Sequence, residues 1–209
     1  MYSEVDTIIL ADGDFPRSPE LLTMLRNAAC IICCDGAADK LLHFGRVPDL
    51  VIGDLDSLSA EAKVRCAGRL VKVAEQETND LAKSFRYCRE HAIVPQALLG
   101  ASGGREDHFL GNLGQFAEFS TLFPDLKFYT DRGYFVAVSG TRNFTRLHPG
   151  SQISFFTFDP AQQLAARGVK YPLPPTLPSW YSGTLNELTG SELTVTNKGN
   201  IPLLLFFCT

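Results

Sequence analysis

Five short apolar runs, TIILA, CIICC, DLVIG, LVKVA and QALLG, recur through the first 125 residues, with amphipathic stretches between them. Runs of that length are buried strands, and buried strands that alternate with helical patterns build a parallel sheet with crossover helices. Between the runs, SPELLTMLRNAA carries a serine suited to capping a helix, and AADKLLHFG ends in a glycine suited to stopping one. In TNDLAKSFRYCREHA the apolar positions Leu81, Phe85 and Cys88 recur at spacings of four and three. Phe109, Leu113 and Phe116 do the same in EDHFLGNLGQFAEF, so each stretch predicts a one-sided helix.

After about residue 130 the pattern changes to short strand-like segments separated by turn residues: GYFVAVSG, SQISFFTF, SELTVTN and PLLLFF. Prolines 172, 174, 175 and 178 make YPLPPTLPSW an irregular loop or edge, because proline cannot sit in a central strand. The expected architecture is an α/β N-terminal domain with a mainly parallel sheet, residues 1–131, followed by a smaller all-β sandwich domain, residues 132–209.

The 209 residues are 45% hydrophobic, enough for one large core or two small ones. The net charge is -4 and no lysine or arginine run stands out, which excludes nucleic acid and acidic membrane as expected partners. MYSEVDTIIL has acids where a signal peptide needs a basic flank, and LLLFFC is too short to span a bilayer, so a cytoplasmic protein is expected. Cys30 and Cys33 have the C-x-x-C spacing of zinc and redox sites. They lie in a compact apolar run with no second ligand pair, and read with the other four cysteines as small core residues.

Open parallel sheets bind ligands at the carboxyl ends of their strands, and four segments place polar groups there. CDGAAD puts Asp35 and Gly36 at a turn after the second run. GDLDS follows the third with Asp54, Asp56 and Ser57, two carboxylates at a spacing of two that could face one pocket. ETND places Asp80 in the first turn of a helix, with Lys83 and Ser84 one turn on. LGASGGREDH is a glycine-rich strand-to-helix turn with Gly103, Gly104, Arg105, Asp107 and His108.

Singly, Asp80 reads as a helix cap, Asp35 as a turn former and His108 as a surface group. Together they place several like charges at the strand ends, where a divalent cation would relieve the repulsion. All-oxygen ligands suit magnesium. The GGR turn supplies the complementary half: its glycines let backbone N–H groups approach an anion, and Arg105 can hold a phosphate bidentately. Acids beside a phosphate cradle predict a magnesium–nucleotide enzyme. The same residues also accommodate a nucleotide-sugar glycosyltransferase with a metal-binding Asp-x-Asp, or a non-catalytic nucleotide sensor.

DGAAD, PDLVIGDLDS, TNDLAK and LGASGGREDHFLGNL, followed by GVKYPL and SGTLNEL, resemble in that order the motifs of the thiamine pyrophosphokinase family over nearly the whole chain. The resemblance implies an α/β domain and a β-sandwich. It further implies a homodimer with active sites between subunits, and transfer of a pyrophosphoryl group from ATP to thiamine. It implies magnesium at Asp54, Asp56 and Asp80, with Asp35 among the acids. Arg105 and Asp107 would then act on the phosphate side, together with Gly36, Ser57, Lys83, Gly103, Gly104 and His108. Tyr171, Ser182, Thr184 and Asn186 would contact thiamine. Asn79 stands where many relatives have threonine. Trp180 either stacks on thiamine or covers the core.

Overall fold

The computed structural model describes residues 5–209, so the opening four residues used in the leader-peptide argument lie outside the described residues. The chain divides into two compact units, one running to Gln115 and including Phe128–Asp131, the other comprising Phe116–Lys127 and Arg132–Thr209.

Up to residue 130 the chain alternates strand and helix: β1 Thr7–Leu10, α1 Pro19–Asn27, β2 Cys30–Cys34, α2 Ala37–His43, β3 Leu50–Gly53, α3 Ala60–Arg65, β4 Leu70–Lys72, α4 Asp80–Glu90, β5 Ala97–Leu99, α5 Glu106–Phe119 and β6 Lys127–Thr130, with the last residues of α5 and the first of β6 counted in the second unit. The strands run in the order β6-β5-β1-β2-β3-β4, and the pairs β5–β1, β1–β2, β2–β3 and β3–β4 are parallel. Ile8, Ile9, Ile31, Ile32, Val51, Ile52, Leu98 and Leu99 are wholly buried, which is why the sequence shows apolar runs rather than alternation.

Local chemistry fixes the helix ends. α2 stops because Gly45 takes φ +93, with Gly45 N–H donating to Leu42 O and Arg46 N–H to Leu41 O, a Schellman closure. Ser18 stands at the N-cap of α1, but its side chain makes no capping bond. Instead the backbone N–H groups of Arg17 and Ser18 donate to Asp131, and Pro19 supplies the helical φ. α3 was not foreseen: six residues are too few to show a period, and its start is fixed by Ser59 Oγ accepting from Ala62 N at 3.0 Å. Cys33, Cys34, Cys66 and Cys88 are buried among these elements, and all six thiols are free.

The second unit is a sandwich of β7 Gly133–Val138, β8 Gly140–Phe144, β9 Gln152–Phe156, β10 Leu164–Arg167, β11 Gly183–Glu187, β12 Leu193–Asn197 and β13 Leu203–Cys208. β11-β9-β13-β7 run antiparallel in one layer and β10-β12-β8 in the other. Alternate residues of both layers, Val136, Ile153, Phe155 and Leu205 against Leu164, Leu193 and Val195, close one apolar core. Asn197 Nδ2 ties the layers by donating to Val138 O and Ile201 O at 2.9 Å. The proline-rich stretch forms no strand, as expected, yet Leu177 within it is wholly buried. No described helix is long and apolar enough to cross a membrane.

Candidate active site

The carboxyl ends of β1, β2, β3 and β5 converge within the first unit. β2 runs out at Cys34, and Asp35 turns the chain with φ +38 while its N–H donates to Ile52 O on β3. β3 ends at Gly53. A Cβ there would lie 2.8 Å from Asp35 Cβ and 3.2 Å from Asp80 Cγ, so only glycine lets both acids pack over the strand end.

The next residues fold back on themselves. Asp56 N–H donates to Asp54 Oδ1 at 3.2 Å around Leu55, whose φ is +68. Gln76 Nε2 fixes Asp54 Oδ2 at 2.9 Å, and Ser57 reaches Asp56 Oδ1 through its hydroxyl and Asp35 Oδ2 through its N–H. Carboxylate oxygens of Asp35, Asp54 and Asp56 thereby lie within 4.8 Å of one another.

Asp54 and Asp35 are shifted in opposite directions. Hydrogen bonds from Gln76 and from the Asp56 N–H hold the Asp54 carboxyl down at about 2. Burial pushes Asp35 up to about 6, and the charges of Asp80, Asp54 and Asp56 add to the rise against the Ser57 N–H. Asp35 is 3% exposed, and its Oδ1 is buried without a hydrogen-bond partner. A buried carboxylate oxygen without a partner, on one of three clustered carboxylates, fits a hard divalent cation, and the donor set is oxygen only, as magnesium requires.

Asp80, expected in the metal set, points to a different neighbour. Asn79 caps α4 by accepting from Ala82 N at 3.0 Å, so the Asp80 carboxylate is not used as a cap. It pairs instead with Lys83 at 2.9 Å, a lysine whose side chain is 3% exposed. Burial pulls the Lys83 ammonium down, but the Asp80 hydrogen bond and the nearby carboxylates outweigh it, and the net shift is upward. Ser84 Oγ donates to Asp80 O, adding a second tie at this helix end.

In the GGREDH turn Gly103 and Gly104 take positive φ, +78 and +69. Arg105 is engaged with Asp107 through two bonds, 3.0 and 2.6 Å; both side chains are exposed, and the guanidinium holds Asp107 down at about 2. His108 is exposed. Asn112 joins this segment to α4, donating to Ala101 O and accepting from Asn79 Nδ2.

The loop ADGD after β1 escaped the sequence reading. Its backbone clasps the loop after β5: Gly13 N–H donates to Gly100 O, Asp14 N–H donates to Ser102 O, and a Cβ on Gly103 would strike Asp14 Cγ at 2.3 Å. Lys40 secures it with 2.8 Å contacts to Asp12 O, Gly13 O and Asp12 Oδ1. Gly36 leaves room for Asp12, since a Cβ would lie 2.7 Å from its Oδ2. The signal that could have found this loop is the order of strands: β1 lies between β5 and β2, so the order in which strands are added reverses there while all three stay parallel, and ligands bind beside such a point.

In the second unit Tyr171, Ser182 and Thr184 are exposed while Asn186 is buried. The Asn186 amide is committed to backbone, accepting from Tyr171 N and Glu187 N and donating to Tyr171 O, so it shapes the segment that carries Tyr171. Ser182 Oγ accepts from Ser179 N. Trp180 is 48% exposed with its ring 5.8 Å from Phe156 and 6.0 Å from Tyr181.

Residues 21–129 match the thiamin pyrophosphokinase catalytic domain, and residues 133–206 match the thiamin pyrophosphokinase substrate-binding domain. Thiamine pyrophosphokinase 3 of rice is 34% identical over 46% of this chain and 46% of its own length, so the chain spans about half of that relative. Thiamine pyrophosphokinase of Bacillus subtilis is 26% identical over 79% of this chain and 80% of that one. The crystal structure of a Bacillus subtilis thiamine pyrophosphokinase superposes with a TM-score of 0.77 at 25% identity, covering 98% of this chain and 99% of the other. The catalytic-domain match alone spans more than half of the 209 residues, and the chain belongs to the thiamin pyrophosphokinase family.

Proposed function

We propose that this chain transfers a pyrophosphoryl group from ATP to the hydroxyethyl oxygen of thiamine, giving thiamine pyrophosphate and AMP. The observation that carries the reading is the convergence of Asp35, Asp54 and Asp56, with one buried oxygen left unpartnered, in a chain of this family. The thiamine oxygen bonds to the β phosphorus, the bridge between the α and β phosphorus atoms breaks, and its electron pair leaves on AMP. The hydroxyl proton passes to a carboxylate at the strand ends.

Asp35, Asp54 and Asp56, with Asp80 beside them, would hold magnesium, which supplies neutralisation of phosphate charge when bound. Gln76 and Ser57 orient the carboxylates, and Asn79 leaves Asp80 free to anchor Lys83, whose ammonium lies against this cluster. Arg105 exchanges Asp107 for phosphate, with the Gly103–Gly104 turn and His108 alongside and Gly36 giving close backbone approach. Tyr171, Ser182 and Thr184 face thiamine, and Asn186 positions Tyr171. On this reading residues 1–131 bind ATP and magnesium, and residues 132–209 bind thiamine. The enzyme is a cytoplasmic homodimer with its active sites between subunits, as its family resemblance implies, and sedimentation measures that state.

The test is AMP release from ATP and magnesium, with and without thiamine, the product identified by mass. Thiamine-dependent AMP is expected, and Asp54→Ala or Asp56→Ala abolishes it without changing the melting temperature. ADP in place of AMP would move the attack to the γ phosphorus and refute the reading.

A further inference from the structure

Two neighbouring residues of α2 reach two different loops. Asp39 accepts from the N–H and the hydroxyl of Ser59, which caps α3 just past GDLDS. Lys40 reaches the other way, its ammonium 2.8 Å from Asp12 O, Gly13 O and Asp12 Oδ1. The helix itself starts beside Asp35, whose carboxylate accepts from Ser57 N–H. One short helix is therefore tied on one side to the acids and on the other to the loop after β1.

That loop in turn grips the glycine-rich turn. Ala11 N–H donates to Leu99 O, Gly13 N–H to Gly100 O and Asp14 N–H to Ser102 O. The fit leaves no room for a side chain: a Cβ on Gly100 would lie 2.4 Å from Ala11 O, and one on Gly103 2.3 Å from Asp14 Cγ. Gly36 gives Asp12 the same room from α2, since a Cβ there would lie 2.7 Å from Asp12 Oδ2. The contacts run without a break from Gly36 and Lys40 through Asp12, Gly13 and Asp14 to Gly103.

We infer that Lys40 is a positioning residue for the transfer step, holding the Gly103–Gly104 turn in place relative to Asp35, Asp54 and Asp56; the assignment rests on the reading under Proposed function. Its three N–H donors meet three acceptors on a single loop, so none is left for a phosphate, and Lys40 acts through the loop rather than on the substrate. The pair with Asp12 is also too exposed, at 40% and 47% of the two side chains, to add much to global stability. What it fixes is local. A displacement of about 1 Å at a reacting centre can cost about a hundredfold in rate, so slackening of this clasp is felt in turnover before it is felt in melting.

The test compares Lys40→Met, Lys40→Arg and Asp12→Asn in the full chain, by amide hydrogen exchange without ligands and by steady-state kinetics with ATP, thiamine and magnesium. Lys40→Met should speed exchange at the Gly13 and Asp14 amides by about tenfold with the melting temperature unchanged. It should lower kcat by about tenfold and leave the KM for ATP within about twofold. Lys40→Arg, whose guanidinium can serve the same acceptors, should recover most of both losses. Asp12→Asn keeps the two carbonyl contacts, so it should show smaller changes of the same sign, and it carries the test if Lys40→Met melts early. A lysine that bound phosphate directly would raise the KM for ATP in Lys40→Met and lower it in Asp12→Asn, where a repelling carboxylate is gone. That pattern overturns the inference, as does unchanged exchange or unchanged kcat. Wild-type protein that makes no thiamine pyrophosphate refutes the proposed reaction and the transfer role with it, whereas the exchange rates still show whether Lys40 holds the turn.

Discussion

The Asp80–Lys83 pair gives a quantitative test of how the strand-end charges are held. The ammonium is 3% exposed and 2.9 Å from a carboxylate that is 28% exposed. At that separation and an effective dielectric of about 20 the attraction is about 6 kcal/mol, and desolvation of the lysine cancels a large part of it. Removing the acid strands a buried cation, which in a fully buried pair costs about 3–5 kcal/mol. The partial exposure of Asp80 brings the expected cost of Asp80→Asn down to about 2–3 kcal/mol. Lys83→Met leaves a carboxylate that water still reaches, so its cost is about 1 kcal/mol, and the double variant should cost about the same.

The assay is thermal unfolding of the metal-free protein at pH 7, with chelator present. For a chain of this size Asp80→Asn should lower the melting temperature by about 5–10 °C, and the cycle should return a coupling of about 2 kcal/mol. A shift of under about 1 °C, or two single effects that simply add, would show that Lys83 draws its compensation from elsewhere.

Three further outcomes follow from the same geometry. Asn79→Ala should cost about 1 kcal/mol in urea unfolding through loss of the α4 cap, and Asn79→Thr should recover most of it. Asp35, raised from 3.8 to about 6 by burial, is favoured protonated in the folded chain; its contribution is full below pH 4 and lost as pH rises through 6. The metal-free protein should therefore melt lower at pH 7 than at pH 5 by a margin that Asp35→Asn removes. Gly53→Ala, which sets a methyl group against Asp35 and Asp80, should cut turnover sharply while circular dichroism stays unchanged.

What was legible in the sequence was what local chemistry determines. DLVIGDLDS announced its strand and its two acids because a buried parallel strand must be apolar, and a pair of carboxylates at its end has nothing to do with packing. Asn79 illustrates the limit. Asp80 looked like the cap because both residues are good caps, and only the bond from Ala82 N to Asn79 shows which one is used. Strands β8 and β10, GTRNF and LAAR, carry no apolar run, since each has exposed side chains and owes its place to the central strand β12. The ADGD loop was passed over for a related reason: as a string it is an ordinary turn. Its importance comes from the pairing of β1 with β5, segments some 90 residues apart, which sets Gly13 on Gly100 and Asp14 on Gly103. Residues whose role depends on such pairing are found by deriving strand order first and asking which loops must meet where the order reverses. In this chain that reversal falls at β1, and the loop it singles out is the one whose Asp12 and Gly13 are held by Lys40.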